Sequence, residues 1–118
     1  MRECALFVIV AAGFLLAGCA TQKPMYYWGR YEDLVYEMYR EPGKATPEAQ
    51  IAKLGEDMQR AEANGQKVPP GVRAHLGYMY YVQGNLDSAA NEFEEEKRTY
   101  PEATVFVDGL LRRMRGSP

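Results

Sequence analysis

The stretch AHLGYMYYVQGNLDSAANEFEEEKRTYP, residues 74–101, decides the fold that we predict for this chain. Apolar and small residues recur in it at the spacing of two packed helices, and Gly84-Asn85 marks the turn between them. The expected contacts between the two helices are the small residues Gly77 and Ala89, with Leu76, Tyr80 and Phe93 filling the space beside them. The stretch therefore predicts a helical hairpin.

Helical periodicity continues on both sides of this hairpin. Thr46-Pro47-Glu48 predicts a helix start, because it combines a hydroxyl N-cap, a proline at the first helical position and an acid near the positive end of the helix dipole. The predicted inward-facing residues, helix by helix, are Tyr31, Leu34, Val35 and Met38; Ile51, Leu54, Met58 and Ala61; Val72, Leu76, Met79 and Tyr80; Leu86, Ala89, Ala90, Phe93 and Tyr100; and Phe106, Val107, Leu110 and Met114. No stretch predicts a strand, so the predicted fold class is all-α with four or five helices.

An apolar run, residues 5–18, has the length of a signal-peptide core and is too short to span a bilayer. It ends in Leu16-Ala17-Gly18, which is followed by Cys19. These four residues resemble the lipobox of bacterial lipoproteins, in which the thiol is diacylated and the peptide bond before it is cut. The resemblance implies a lipoprotein signal peptide over residues 1–18 and a lipid such as palmitate on Cys19. The alternative is a plain secretory signal that leaves Cys19 as a free thiol.

The segment after Cys19 is expected to be a short tether, residues 19–28, that holds the domain within about 25 Å of the lipid at full extension. Ala20 and Thr21 follow Cys19, with no Asp beside it. By resemblance to lipoproteins of bacteria with two membranes, this implies an outer-membrane anchor and a periplasm-facing domain. The aromatic residues 26–28 either lie among the lipid headgroups or cover the end of the first helix.

The opening stretch resembles a tetratricopeptide repeat, a unit of about 34 residues that forms a helix-turn-helix. Arg73 and Glu96 depart from the repeat pattern, since an aromatic and an alanine are usual there, and a generic helical hairpin is the alternative. A weaker copy lies upstream, around Leu34 and Leu54, and the last helix would be a half repeat. Residues 29–116 are thus predicted to form an array of about two and a half repeats, which gains stability from a partner or from self-association.

The stretches VPPGVRAHLGYMYYVQGN, residues 68–85, and YPEATVFVDGLL, residues 100–111, are similar to a family of small outer-membrane lipoproteins of unknown function. Members of this family are often encoded beside a lipoprotein similar to the curli secretion channel. The resemblance implies an interaction or assembly accessory protein of a bacterial envelope complex, with another envelope lipoprotein, channel-like in kind, as its partner. The alternative function is an outer-membrane activator of a cell-wall synthase, against which the short tether argues.

The repeat resemblance also implies a partner groove on the concave face. Carried over position by position, it places six residues there: Tyr36, Tyr39, Tyr78, Tyr81, Arg112 and Arg115. None of the four tyrosines belongs to a predicted core stripe. Together they predict an aromatic groove with a basic end, suited to a peptide or helix that carries acidic groups. The alternatives are tyrosines that pack between helices and arginines that are a solvated last turn.

Other function classes lack their sequence signals. The formal net charge of −2 argues against a nucleic-acid partner, which requires an excess of Lys and Arg. With His75 as the one histidine and no cysteine beyond Cys19 in the mature chain, we expect no metal site and no cofactor. No nucleophile with a base and no phosphate-binding loop is present, so the chain is not expected to be an enzyme. A carrier of small apolar ligands would need a cavity that so small a core hardly accommodates.

Overall fold

The structure is a computed structural model that describes Met1 and residues 21–116. Residues 21–116 form a helical array without any strand. The elements are α1 (Tyr31–Arg40), α2 (Pro47–Ala63), α3 (Val72–Val82), α4 (Leu86–Thr99), a 3-10 turn (Pro101–Ala103) and α5 (Thr104–Met114). The predicted all-α helical-hairpin fold is confirmed. The predicted signal peptide and Cys19 lie outside the described residues.

The helix boundaries follow from the local signals in the sequence. The Thr46 side chain accepts a hydrogen bond from the Ala49 backbone N–H at 3.3 Å, which is the expected N-cap of α2. Asn85 caps α4 in the same way, accepting from the Ser88 N–H at 3.1 Å. Gly84 has a φ of +80° in the turn between α3 and α4, a conformation that favours glycine.

Successive helices run antiparallel. Arg30, directly before α1, contacts Asp57 of α2, whereas Glu37, later in α1, contacts Lys53, which is earlier in α2. Helices α2 and α3 are antiparallel because they are joined by the pairs Gln50–His75 and Glu48–Gln83. The end of α4 likewise meets the start of α3, through Glu96–Gly71 and Glu92–Arg73. Helices α4 and α5 are joined by a short connection and by the pair Lys97–Asp108. Because each helix reverses the direction of the one before it, α1, α3 and α5 are parallel and begin at the same edge of the array.

The core consists of two clusters that share one tyrosine. The first cluster joins α1, α2 and α3 through Leu34, Leu54, Val72 and Leu76. The second joins α4 and α5 through Ala89, Phe93, Val107 and Leu111. Tyr80 of α3 packs against both clusters, so the two halves of the array are continuous through this ring.

Helices α3 and α4 approach each other closely at Gly77, as the sequence predicted. A Cβ atom added to Gly77 would lie 2.8 Å from the Phe93 ring and 3.1 Å from the Ala89 carbonyl oxygen. Ala89 and Phe93 are 0% and 1% exposed, so the space beside the glycine is filled. Only a hydrogen atom fits between α3 and α4 at this point.

Two predicted core residues are in fact exposed. Leu86 is 47% exposed and Phe106 is 63% exposed, so both assignments are wrong. Leu86 is the first residue of α4 and lies beyond the reach of α3. In α5 the buried positions are Val107 and Leu111, one turn apart, and Phe106 lies on the neighbouring side of the helix.

A polar contact accounts for the burial of Glu96, one of the two departures from the repeat pattern. Its side chain is 1% exposed, and its Oε1 accepts a 2.6 Å hydrogen bond from the backbone N–H of Gly71, the residue before α3. A carboxylate at this place also complements the positive end of the α3 dipole. Arg73, the other departure from the repeat pattern, forms a 2.8 Å ion pair with Glu92 on the same helix pair.

The segment before α1 is attached to the loop between α2 and α3. The Met25 carbonyl accepts from the Lys67 N–H at 2.9 Å, and the Tyr27 N–H donates to the Lys67 carbonyl at 3.0 Å. The Tyr100 hydroxyl donates to the Val68 carbonyl at 2.5 Å from the other side of this loop. Burial, and then the neighbouring phenol of Tyr26, raise the pKa of Tyr100 to about 12. The N-terminal segment is therefore part of the folded domain from Met25 onward.

Two glycines within helices should respond oppositely to alanine. Gly77→Ala forces the Phe93 ring or the α4 backbone to move, and we expect it to destabilise the domain by about 1–2 kcal/mol. Gly55→Ala is the control, since a Cβ there meets nothing within 4 Å, and it should stabilise by about 0.5–1 kcal/mol through helix propensity. Urea unfolding followed by circular dichroism measures both. Equal stabilisation by the two substitutions would contradict the close approach.

Candidate functional site

The parallel helices α1, α3 and α5 form one face of the array, and this face carries an apolar groove. Its wider part, a hollow of about 360 Å³, is lined by Tyr31, Gly71, Ala74, His75, Tyr78, Phe106 and Leu110. A narrower part of about 150 Å³ adjoins it through Tyr78 and Leu110, and the other residues that line it are Tyr81, Phe93, Arg113 and Met114. We call the two parts together the aromatic groove.

Tyr78 and Tyr81, two of the predicted groove residues, lie side by side in it. Their ring centroids are 6.3 Å apart with the planes tilted by 31°. They are 46% and 40% exposed, so each side chain is partly covered by the domain and partly open to solvent. Large, rigid rings in this half-exposed state suit the binding of an apolar segment, because little conformational entropy is lost when they are covered.

The wide part of the groove contains one titratable cluster. His75 Nε2 lies 2.6 Å from Gln50 Oε1, and its ring meets Tyr31 edge to face with centroids 5.5 Å apart. Burial lowers the pKa of His75, so the imidazole is neutral near pH 7. Burial, and then the negative charge of Glu96, raise the pKa of Tyr31. Both rings thus present uncharged, mostly apolar surface to the groove.

Tyr36 and Tyr39, the other two predicted groove tyrosines, lie on the exposed side of α1 and are not among the residues that line the groove. They are 59% and 79% exposed. The Arg40 guanidinium lies over the Tyr36 ring, 5.3 Å from its centroid, and donates to the Tyr36 hydroxyl at 3.0 Å. The upstream pair thus forms a separate surface with its own arginine.

The basic end of the groove comes from Arg113, while the predicted Arg112 and Arg115 are exposed nearby on the last turn of α5. None of the three arginines forms an ion pair with a carboxylate of residues 21–116. Within residues 21–116, the last turn of α5 therefore carries positive charge that no carboxylate pairs with, at the end of the groove where Tyr81 lies.

Sequence reasoning missed the contribution of α5 to the groove, chiefly Phe106, Leu110 and Arg113. The groove positions taken from the repeat resemblance identify the side of the first helix of each repeat that faces the concave surface. A groove between two parallel helices is instead lined by the edges that face each other, and these edges lie at different positions on α3 and α5. The amphipathic pattern of α5 could have indicated this. If Val107 and Leu111 face the core, Phe106 must lie to one side of the buried stripe, where it can line a groove.

The described residues hold neither of two other kinds of site. No cluster of three or more His, Cys, Asp or Glu side chains among them could hold a metal ion. Among the helices of residues 21–116, none combines the length and the apolarity that crossing a bilayer requires. The predicted lipidation site, Cys19, and its cleavage motif lie before this part of the chain.

His75 should make the domain less stable in mild acid. Its folded-state pKa is below the value of about 6.5 for a free histidine, so the unfolded chain takes up the proton first as the pH falls. Stability should therefore decrease as the pH falls from about 7 toward 5. Urea midpoints across this range measure the effect, and His75 is the single histidine of the chain. The His75→Gln protein should show a flatter profile, and an unchanged slope would contradict the assignment.

Comparisons with known proteins give a family and no function. Neither the curated proteins nor the solved structures contain a match to this chain. Residues 25–110, the greater part of the sequence, match the family described as Domain of unknown function (DUF4810). The match begins at Met25 and ends at Leu110 in α5, so it covers the first core cluster and most of the second, and all of the aromatic groove except Arg113 and Met114. The chain therefore belongs to the DUF4810 family.

Proposed function

We propose that this protein is a lipid-anchored interaction protein of the bacterial envelope, an accessory in the assembly of a larger complex. The observation that carries the proposal is the aromatic groove, because an exposed apolar surface on a small domain commonly marks an interaction site. Tyr78 and Tyr81 are its aromatic anchors. Arg113, with the neighbouring Arg112 and Arg115, supplies positive charge at one end.

The likeness to tetratricopeptide repeats supports the binding role of this face. The antiparallel pairing of the helices, the close contact at Gly77 and the parallel arrangement of α1, α3 and α5 are all expected of such an array. Grooves in arrays of this kind accept extended or helical peptides. The apolar lining and the unpaired arginines favour a peptide segment that has apolar side chains and an acidic group.

The anchor part of the proposal rests on Leu16-Ala17-Gly18-Cys19. The folded domain begins at Met25, so five residues, 20–24, separate it from Cys19. At full extension these residues span about 20 Å. So short a connection keeps the groove near the lipid surface, which favours a partner in the same membrane over a cell-wall synthase across the periplasm.

Photocrosslinking from the mouth of the groove tests this function. A benzophenone amino acid at Arg113 in the lipidated protein, in native membranes, should give a defined adduct with another envelope protein. Tyr78→Ala/Tyr81→Ala should reduce the adduct by about tenfold or more, because losing two aromatic anchors costs at least about 1.4 kcal/mol. Tyr36→Ala/Tyr39→Ala, the matched pair outside the groove, should leave it unchanged.

The identity of the adduct, from mass spectrometry, separates the alternatives. A channel-like or other outer-membrane protein supports the assembly role, and a cell-wall synthase would replace it by the activator function. An adduct with a second copy of the chain alone would reduce the role to self-association. Equal loss in both tyrosine pairs would contradict the groove, and mature protein that carries no acyl group on Cys19 by mass spectrometry would contradict the lipid anchor.

A further inference from the structure

The edge of the array at which α1, α3 and α5 begin carries exposed apolar side chains. Met25 and Trp28, just before α1, are 62% and 46% exposed. Val105 and Phe106, in the first turn of α5, are 84% and 63% exposed. The two pairs belong to one edge because the parallel helices start there and because Tyr26 is a neighbour of Tyr100, which precedes the 3-10 turn. We call Met25, Trp28, Val105 and Phe106 the apolar edge.

The tether leaves the domain from this same edge. The Met25 carbonyl is bonded to the loop at Lys67, and the two residues before it make further contacts with the same part of the domain. Gln66 also donates to the Pro24 carbonyl at 2.9 Å, and the Lys23 ammonium donates to the Asn64 carbonyl. These contacts hold residues 23–25 at this edge, and three residues, 20–22, separate Lys23 from Cys19, which favours contact of this edge with a membrane that holds a lipid on Cys19.

We propose that the apolar edge lies in the headgroup region of the bilayer that holds the Cys19 lipid, and that the domain stands on the membrane with α1, α3 and α5 pointing away from it. This inference rests on the lipid anchor of the proposed function. Tryptophan at an interface is favoured because its ring is apolar and its N–H remains hydrated. The Trp28 ring lies near Tyr26 and Tyr31, with centroids 6.4 and 6.3 Å away, and is 46% exposed.

Apolar contact, and not charge, drives this docking. Lys23 and Lys67 are exposed near the edge, but so are Glu32, Asp33 and Glu102. Because the two signs offset each other, the edge should contact a zwitterionic bilayer as well as an anionic one. The patch is small and acts only when the lipid holds it at the surface, since membrane binding scales with the apolar area that is buried.

This orientation places the two ends of the aromatic groove at different heights. Tyr31 and Phe106, near the starts of their helices, lie beside the membrane. Tyr81 and Arg113 lie nine residues after the first residues of α3 and α5, Val72 and Thr104. At the helical rise this places them roughly 14 Å further from the membrane than the helix starts. A partner would therefore enter from the side, with its acidic group held above the headgroups.

Trp28 is the only tryptophan, so its fluorescence reports on the edge directly. The full-length lipidated protein is reconstituted into phosphatidylcholine vesicles with and without phosphatidylcholine brominated near the headgroup end of its acyl chains. We expect emission at shorter wavelength than in protein produced without residues 1–19, quenching by the brominated lipid, and at least a twofold loss of quenching by acrylamide. Vesicles with anionic lipid should give the same result.

A second reporter tests the orientation. In Trp28→Phe/Tyr39→Trp protein the tryptophan replaces a 79% exposed residue near the far end of α1, and it should remain accessible to acrylamide and unquenched by bromine. Quenching at both positions would overturn the upright orientation. Vesicle-bound, lipidated protein whose Trp28 stays in water would overturn the inference alone. Absence of an acyl group on Cys19 by mass spectrometry, with no vesicle binding, would overturn the anchor and the inference together.

Discussion

The contact between Gly77 and Phe93 is the constraint on which the rest of the array depends. It brings α3 and α4 so close that no side chain fits between them, and the buried Phe93 ring then provides the surface on which Val107 and Leu111 of α5 pack. Burying a ring of this size contributes about 1.5–3 kcal/mol. Tyr80, one turn after Gly77, extends the same contact to the first cluster.

Two polar contacts supplement this packing. They are made by Glu96 and Arg73, which stand where the repeat pattern has an alanine and an aromatic residue. Glu96 is almost fully buried and accepts from the N–H of Gly71, while its Oε2 atom has no partner within the described residues. A buried carboxylate is costly unless it is hydrogen-bonded and near positive charge, and here the N-terminal end of α3 provides both. The Arg73–Glu92 pair lies on the same interface. These contacts fix the register of α3 against α4 by charge as well as by shape.

Because α1, α3 and α5 are parallel, they form the aromatic groove along one face of the array and begin at one of its edges. The proposed partner groove and the proposed membrane contact are therefore adjoining surfaces of one small domain, and Phe106 belongs to both. The segment before α1 is bonded to the loop at Lys67, so the place at which the chain enters the domain is fixed by the fold. A lipid at Cys19 would then set both the distance and the direction of the groove relative to the membrane.

The sequence by itself determined the fold class, the helix starts at Thr46 and Asn85, and the close approach at Gly77. These features depend on neighbours within a few residues or within one hairpin, and periodicity and capping record such contacts directly. Only the tertiary structure decided that Glu96 is buried, that Phe106 is exposed, and that Tyr78 and Tyr81 share a groove with Arg113 while Tyr36 and Tyr39 do not. Each of these outcomes depends on how helices distant in the sequence are rotated about their axes, and a rotation of one residue, about 100°, moves a side chain from the core to the surface.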